Sequence, residues 1–132
     1  GGPNQNDYPQ TDCNGGQYDQ RDVDACLEAF RGQGYDTKGQ WNIDVREIRD
    51  VSVFGDNVIT DRGHDHKIVI IKTVSVLGRQ EFELLNPNAL YCIKSVAVLE
   101  DVRVTSCLQS NVVFGQNVNV LSGIDTNPVN CQ

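Results

Sequence analysis

Methionine is absent from this 132-residue chain, tryptophan occurs once and histidine twice. No apolar run approaches the ~18 residues that a membrane-crossing helix needs, so the sequence offers no transmembrane segment. Basic residues are few: eleven Lys and Arg stand against eighteen Asp and Glu, a net charge of −7. They are scattered, with no basic run, which argues against nucleic acid as a partner, because phosphate recognition needs clustered cations. No Cys-x-x-Cys occurs, so zinc-ribbon and thioredoxin-type sites lack their signature. The Gly-x-Ser-x-Gly elbow, the P-loop and the dinucleotide fingerprint are missing too.

Five cysteines are present. In a short chain without methionine they fit an oxidising compartment, so an extracellular or periplasmic location is expected, with one cysteine left over by the odd count. The polar start "GGPNQND" is no signal peptide and reads as either a mature or an engineered end, so it says nothing about where a precursor goes. The length suits a single domain over 1–132, and an apolar content of 39% suffices for one modest core. Composition divides it into an irregular segment with a helix (1–40), a Val- and Ile-rich region (41–121) and a turn-rich C-terminal tail (122–132).

Before Trp41 one segment has helical periodicity. In "RDVDACLEAFRGQG", Val23, Cys26, Leu27 and Phe30 fall at i, i+3, i+4 and i+7 and form one apolar stripe. Asp19 or Asp22 can cap its start, and Gly32 and Gly34 stop it. So short a helix is marginal alone and has to pack on something. Cys13 is expected to bond Cys26 and so tether the irregular start.

After Trp41 alternation replaces helical periodicity, and an internal repeat emerges. "EIRDVSVFGDNVIT" (47–60), "IIKTVSVLGRQEFEL" (70–84), "CIKSVAVLEDVRVT" (92–105) and "CLQSNVVFGQNVNV" (107–120) share one pattern. An apolar residue is followed by a long polar one, a small polar one, Val-x-Val, a corner and a second alternating pair. Corners fall at Gly55, Gly78, Glu100 and Gly115, where glycine accepts a positive φ. Alternation places Val51, Val53, Val58 and Thr60 on one side. It does the same for Val74, Val76, Phe82 and Leu84, for Val96, Val98, Val102 and Val104, and for Val118 and Val120. The second copy carries one extra residue before Phe82, and Val112 and Val113 break the alternation. "KIVIIK" and "LYCI" supply a third strand per coil, and Asn86-Pro87-Asn88 is a turn.

A Val-rich repeat of this length with no helix in each copy predicts an all-β solenoid, because stacked coils bury an inward face that one coil cannot. The expected fold is a short right-handed β-solenoid of about four coils with an N-terminal capping helix. The alternative is an antiparallel β-sandwich, for which "GDN" and "GQN" would serve as hairpin turns. With the start of the repeat column at 47, 70, 92 and 107, Cys92 and Cys107 occupy one column of consecutive coils. The interval of 15 between them is then a coil length. A Cys92–Cys107 bond is expected, with Cys107–Cys131 as its rival.

The segments "SVAVLEDVRVTSC" and "NVVFGQNVNVLS" resemble the Val-rich right-handed β-helix modules of bacterial secreted and envelope proteins. The resemblance covers residues 45–121 and rests on the periodic pattern. It implies a structural, adhesive or scaffold role and no chemistry. Longer β-helices of this kind that act as lyases or hydrolases carry clustered Asp, Lys and Arg in a long cleft.

Three local groups are candidates for chemistry or binding. His64, Asp65 and His66 in "GHDHK" would hold a divalent metal such as zinc if a strand aims both imidazoles one way. Tyr18, Tyr35 and Trp41 would stack on a ligand such as a sugar ring. Asp44, Glu47, Asp50 and Asp56 supply carboxylates near one coil and are read as a solvated face. No cofactor beyond that metal is called for. The expected function is a non-enzymatic binding or structural module outside the cytoplasm, meeting a protein or glycan at a bacterial cell surface. One alternative is a carbohydrate-active or metal-dependent enzyme using His64, Asp65 and His66. Another is a self-associating building block, because a solenoid has open strand edges at both ends. The helix would cover the first coil and the tail the last. Incomplete caps would lead to end-to-end association.

Overall fold

The computed structural model describes residues 19–39, 41–47, 55–108 and 111–131. Helix α1 (Gln20–Gly32) is followed by β1 (Asn42–Glu47), β2 (Asn57–Arg62), β3 (Lys67–Val76), β4 (Gln80–Leu85), β5 (Leu90–Val98), β6 (Asp101–Cys107), β7 (Asn111–Phe114), β8 (Val118–Val120) and β9 (Gly123–Val129). One sheet has the order β1-β3-β5-β7, with β8 also on β5, and a second has the order β2-β4-β6-β9. Every pairing in both sheets is parallel. Alternate strands in sequence therefore lie side by side, as successive turns of one winding chain. The result is a β-solenoid of about four coils with an N-terminal helix. The hairpin sandwich would have required antiparallel neighbours.

The register corrects the repeat. Val45, Ile70, Cys92 and Val113 form one column. The coil length between Ile70 and Cys92 is 22 residues. Gln80, Val102 and Ile124 repeat at the same interval of 22 in the second sheet. The interval of 15 is not a coil. Cys107 ends β6 in the second sheet and pairs with Val129, whereas Cys92 lies in the first. Each coil carries the same two-residue alternation on more than one face, so "CLQS" matches "CIKS" by pattern although Cys107 lies on a different wall from Cys92. With the register restored, Val112 and Val113 continue their strand opposite Tyr91 and Cys92. The extra residue before Phe82 also disappears, because Ile59 pairs with Phe82. Ile59 is thus the inward residue of β2, while Val58 is exposed and Thr60 faces out with it.

Each coil bends within its first wall. Thr73, Ser95 and Asn117, spaced 22 residues apart, all have positive φ (57°, 53° and 61°). Thr73 and Ser95 kink β3 and β5, and Asn117 separates β7 from β8. The turn into the second sheet stacks Gly55 and Gly78, and a Cβ on Gly78 would lie 2.1 Å from the Gly55 carbonyl oxygen. Glu100 continues that column. Its fourth member is Ser122, whose N–H donates to the Glu100 carbonyl, and not the expected Gly115.

The interior is apolar through the middle coils: Val69, Ile71, Val74, Val76, Phe82, Leu84, Tyr91, Ile93, Val96, Val98, Val102 and Val104 are buried together. Burying each such side chain contributes about 1.5–3 kcal/mol, which explains why the coils need one another. A second core lies outside the wall. Val23, Cys26, Leu27 and Phe30 of α1 pack on Ile43, Ile68, Ile70, Leu90, Cys92 and Val113, the outward residues of β1, β3, β5 and β7. That is why "KIVIIK" is apolar at consecutive positions: it is buried on both faces. The helix thus lies along the flank of the stack, across all four coils, and not over the open end of the first.

Helix α1 begins at Asp19, whose side chain accepts from the Arg21 N–H at 2.9 Å. It ends in a Schellman motif. The Tyr35 N–H donates to the Phe30 carbonyl and the Gly34 N–H to the Arg31 carbonyl, with Gly34 at φ 92°. Asp22 fastens it to the wall by accepting from Lys72 and from Lys94 at 2.8 Å. Partial burial opposes ionisation of Asp22 most strongly, but the two lysine hydrogen bonds together hold its pKa below the usual carboxylate value.

Two disulfides complete the fold. Cys26 bonds Cys92 across 66 residues, and Cys107 bonds Cys131 across 24. Both favoured pairings are corrected. Cys26 is taken by Cys92, because the helix stripe presses on the outward face where Cys92 sits. Cys92 and Cys107 lie on different walls. Cys13 is outside the described residues, as are Tyr18, Asp50, Val51 and Val53. The 122–132 tail is also revised: Gly123–Val129 is β9, the last strand of the second sheet.

Candidate functional site

The loop between β2 and β3 carries "GHDHK". It is not a strand, so His64 and His66 are not aligned by pleating. The His66 ring lies on Trp41, with centroids 3.6 Å apart and planes tilted by 32°. The His64 carbonyl accepts from Asn88 Nδ2 at 2.8 Å, and the Asp65 carbonyl from Asn86 Nδ2 at 3.0 Å. The buried Asn86 also caps its own turn by accepting from the Asn88 N–H. The loop of one coil is therefore braced by the Asn86-Pro87-Asn88 turn of the next. Among the described residues, no three His, Cys, Asp or Glu side chains converge to hold a metal.

Beneath this loop lies a charged cluster that sequence reasoning missed. Asp61 is inward-facing and 4% exposed. It accepts from Lys67 Nζ at 2.7 Å, Tyr91 Oη at 2.7 Å and Arg46 Nη2 at 3.2 Å. Asp44, expected on a solvated face, is buried beside it, 3.2 Å from Arg46 and 3.7 Å from Lys67. Its inward position follows from the register, which sets Asp44 beside Val69 and Arg46 beside Ile71. Two carboxylates thus meet two cations, and no buried side-chain polar atom is left without a partner among the described residues. Burial, and then the hydrogen bond and charge of Asp61, hold the Tyr91 pKa well above the usual phenol value. The cluster braces a corner of the first coil. The alternation of β1 would have shown it, had Asp44 and Arg46 been assigned to the inward parity.

Of the predicted aromatics, Tyr18 lies outside the described residues, and Trp41 and Tyr35 pack on the protein's own side chains. Trp41 is 7% exposed and belongs to the core beneath α1. Its indole N–H donates to the Lys38 carbonyl at 3.3 Å. Tyr35 packs edge-on to Phe30 with centroids 6.2 Å apart. Of the remaining carboxylates, Glu47 pairs with Lys72 at 3.1 Å and Asp56 is exposed.

A different surface has the character of a binding face. On the stretch following each bend, Ser75, Ala97 and Asn119 form an outward column. Leu77, Leu99 and Leu121 form the next one, and they are 38%, 54% and 79% exposed. Backbone hydrogen bonds from Leu99 to Val76 and from Leu121 to Val98 keep these leucines in register. Together the two columns line a shallow groove of about 380 Å³ with no ionisable side chain. Parallel stacking places equivalent residues of neighbouring coils ~4.8 Å apart, so the groove is a regular ladder along the solenoid axis.

No family model, curated protein or solved structure matches this chain.

Proposed function

We propose that this chain is a non-enzymatic binding or structural module that acts outside the cytoplasm, at a bacterial cell surface or envelope, and engages a protein or glycan. The observation that carries this reading is the Leu77–Leu99–Leu121 groove, an exposed apolar ladder without an ionisable group. Contiguous apolar surface on a folded protein often marks a docking site, which supports a binding role for this ladder. The ionisable cluster of Asp44, Arg46, Asp61 and Lys67, by contrast, is spent on holding a corner. The two disulfides support an oxidising setting. Among the described residues no helix is long and apolar enough to cross a membrane.

Isothermal titration of the protein against isolated envelope glycans and envelope proteins tests the reading. Binding that is lost in Leu99→Asp is the expected result. Turnover of a glycan, abolished by alanine at His64 and His66, would overturn it in favour of an enzyme.

A further inference from the structure

Lys67 Nζ stands 2.7 Å from Asp61 Oδ1 in the interior of the first coil. The Asp61 side chain is 3% exposed and that of Lys67 12%. Burying two opposite charges is costly even when they pair. A neutral link in their place removes that cost. An amine is a nucleophile once it has lost its proton, and a carboxyl carbon is an acyl centre that it can attack. Two such groups held in contact by the fold react as if at a concentration far beyond any reached in solution.

The surroundings of this pair suit that reaction. Asp44 Oδ2 lies 3.7 Å from the same Nζ, so a second carboxylate is placed to take the ammonium proton. Tyr91 Oη donates to Asp61 Oδ2 at 2.7 Å, and Arg46 Nη2 donates to Asp61 Oδ1 at 3.2 Å. Two donors on one carboxyl group draw electron density from its carbon and hold the negative charge of a tetrahedral adduct. Charge also balances afterwards. Joining one cation to one carboxylate leaves Asp44 and Arg46, already 3.2 Å apart, as a matched pair. The lysine pairs beneath α1 differ. There Asp22 accepts from both Lys72 and Lys94 with its side chain 18% exposed, so water keeps those charges solvated.

We propose that Lys67 and Asp61 become joined by an amide bond, a covalent clamp that the folded chain makes by itself. The ion pair is the reactant. Its ammonium gives one proton to Asp44, and the freed amine attacks the Asp61 carboxyl carbon. A C–N bond forms, and the bond from that carbon to Oδ1 breaks. Oδ1 departs as water, while Oδ2 stays as the amide oxygen beneath the Tyr91 hydroxyl. Of the three ammonium protons, one remains on the amide nitrogen and two leave with the water. Asp44 ferries them and ends ionised as it began. Nothing is oxidised or reduced, and no co-reactant is needed. The bond fastens β2 to β3 across residues 62–66, the loop that carries His64, Asp65 and His66. The inference holds whether or not the leucine groove binds anything.

The intact mass of the folded protein, taken after its disulfides are reduced, tests this clamp. The expected mass is that of the sequence less one water, reached after folding and not in the denatured chain. In a tryptic digest, residues 50–62 and 63–72 should appear as one branched species joined through Asp61 and Lys67, with no cleavage at Lys67. Lys67→Arg keeps a cation and should restore the full mass. Asp44→Asn should slow the loss of water by at least about a hundredfold, the scale of a lost proton carrier, with far-UV circular dichroism unchanged. A wild-type protein that keeps its full mass after prolonged incubation in the folded state overturns the proposal, whatever the variants do. Loss of water in Lys67→Arg or in the denatured chain would overturn it too, because that marks an aspartate cyclising on its own backbone.

Discussion

Tyr91 Oη, from the third coil, donates to Asp61 Oδ2, from the first, across 2.7 Å of the solenoid interior. One phenol thus links the apolar middle of the core to its charged end. Tyr91→Phe keeps the ring and removes the donor. Asp61 then relies on Arg46 and Lys67 alone, and the protein should lose about 2 kcal/mol in urea denaturation, the usual cost of deleting a hydrogen bond to a buried charge.

The same contact sets a pH dependence. The Tyr91 pKa is raised in the folded protein, first by burial and then by Asp61. An unfolded phenol ionises near pH ~10, so below that both states keep the proton and the stabilisation is complete. Above it the unfolded chain releases its proton more readily, and stability falls as the pH climbs towards the folded value. Wild-type stability should therefore decline more steeply above about pH 10 than that of Tyr91→Phe, in paired denaturation curves at pH 8 to 11.

Thr73, Ser95 and Asn117 share one left-handed bend, and Thr73 fits it worst. A β-branched residue at φ 57° is strained, whereas asparagine tolerates that region. Thr73 is exposed, so a substitution sacrifices no packing. Thr73→Asn should stabilise the protein by about 1 kcal/mol, seen as a rise of about 3 °C in Tm by calorimetry. An unchanged or lower Tm would refute the strain argument.

The two disulfides differ in the loop they close, 66 residues for Cys26–Cys92 against 24 for Cys107–Cys131. On chain entropy alone these are worth about 4 and about 3.5 kcal/mol. Removing the first pair also loosens the helix from the wall. Alanine at Cys26 and Cys92 should thus lower the denaturation midpoint more than alanine at Cys107 and Cys131. The first pair should expose α1 to exchange, the second only β9. Equal effects on α1 would mean that the helix is held by its apolar stripe and Asp22 alone.

Much of the fold is legible in the residues. The i, i+3, i+4, i+7 stripe of Val23, Cys26, Leu27 and Phe30 is the face that α1 buries. The inward sets Val74, Val76, Phe82, Leu84 and Val96, Val98, Val102, Val104 are the core. Less legible was whatever depended on which wall a strand joins. Cys107 resembled Cys92 in its local pattern, and Val58 resembled Ile59. The candidate sites fared similarly. "GHDHK" stood out by composition, while the Asp61 cluster is assembled from β1, β2, β3 and β5 and has no local motif. The Leu77–Leu99–Leu121 ladder has a sequence signal, an interval of 22, but it is visible only once the coil length is known.

By itself the sequence determined that this chain forms stacked Val-rich coils with one amphipathic helix, because alternation and helical periodicity are local properties of neighbouring residues. Only the tertiary structure decided the coil length, the disulfide partners and the assembly of the Asp44–Arg46–Asp61–Lys67 cluster. The physical reason is that alternation has a period of two and is the same on every wall. The register between walls is selected by hydrogen bonds and packing between residues about 22 apart, where one slip of a single residue turns a core side chain out to solvent.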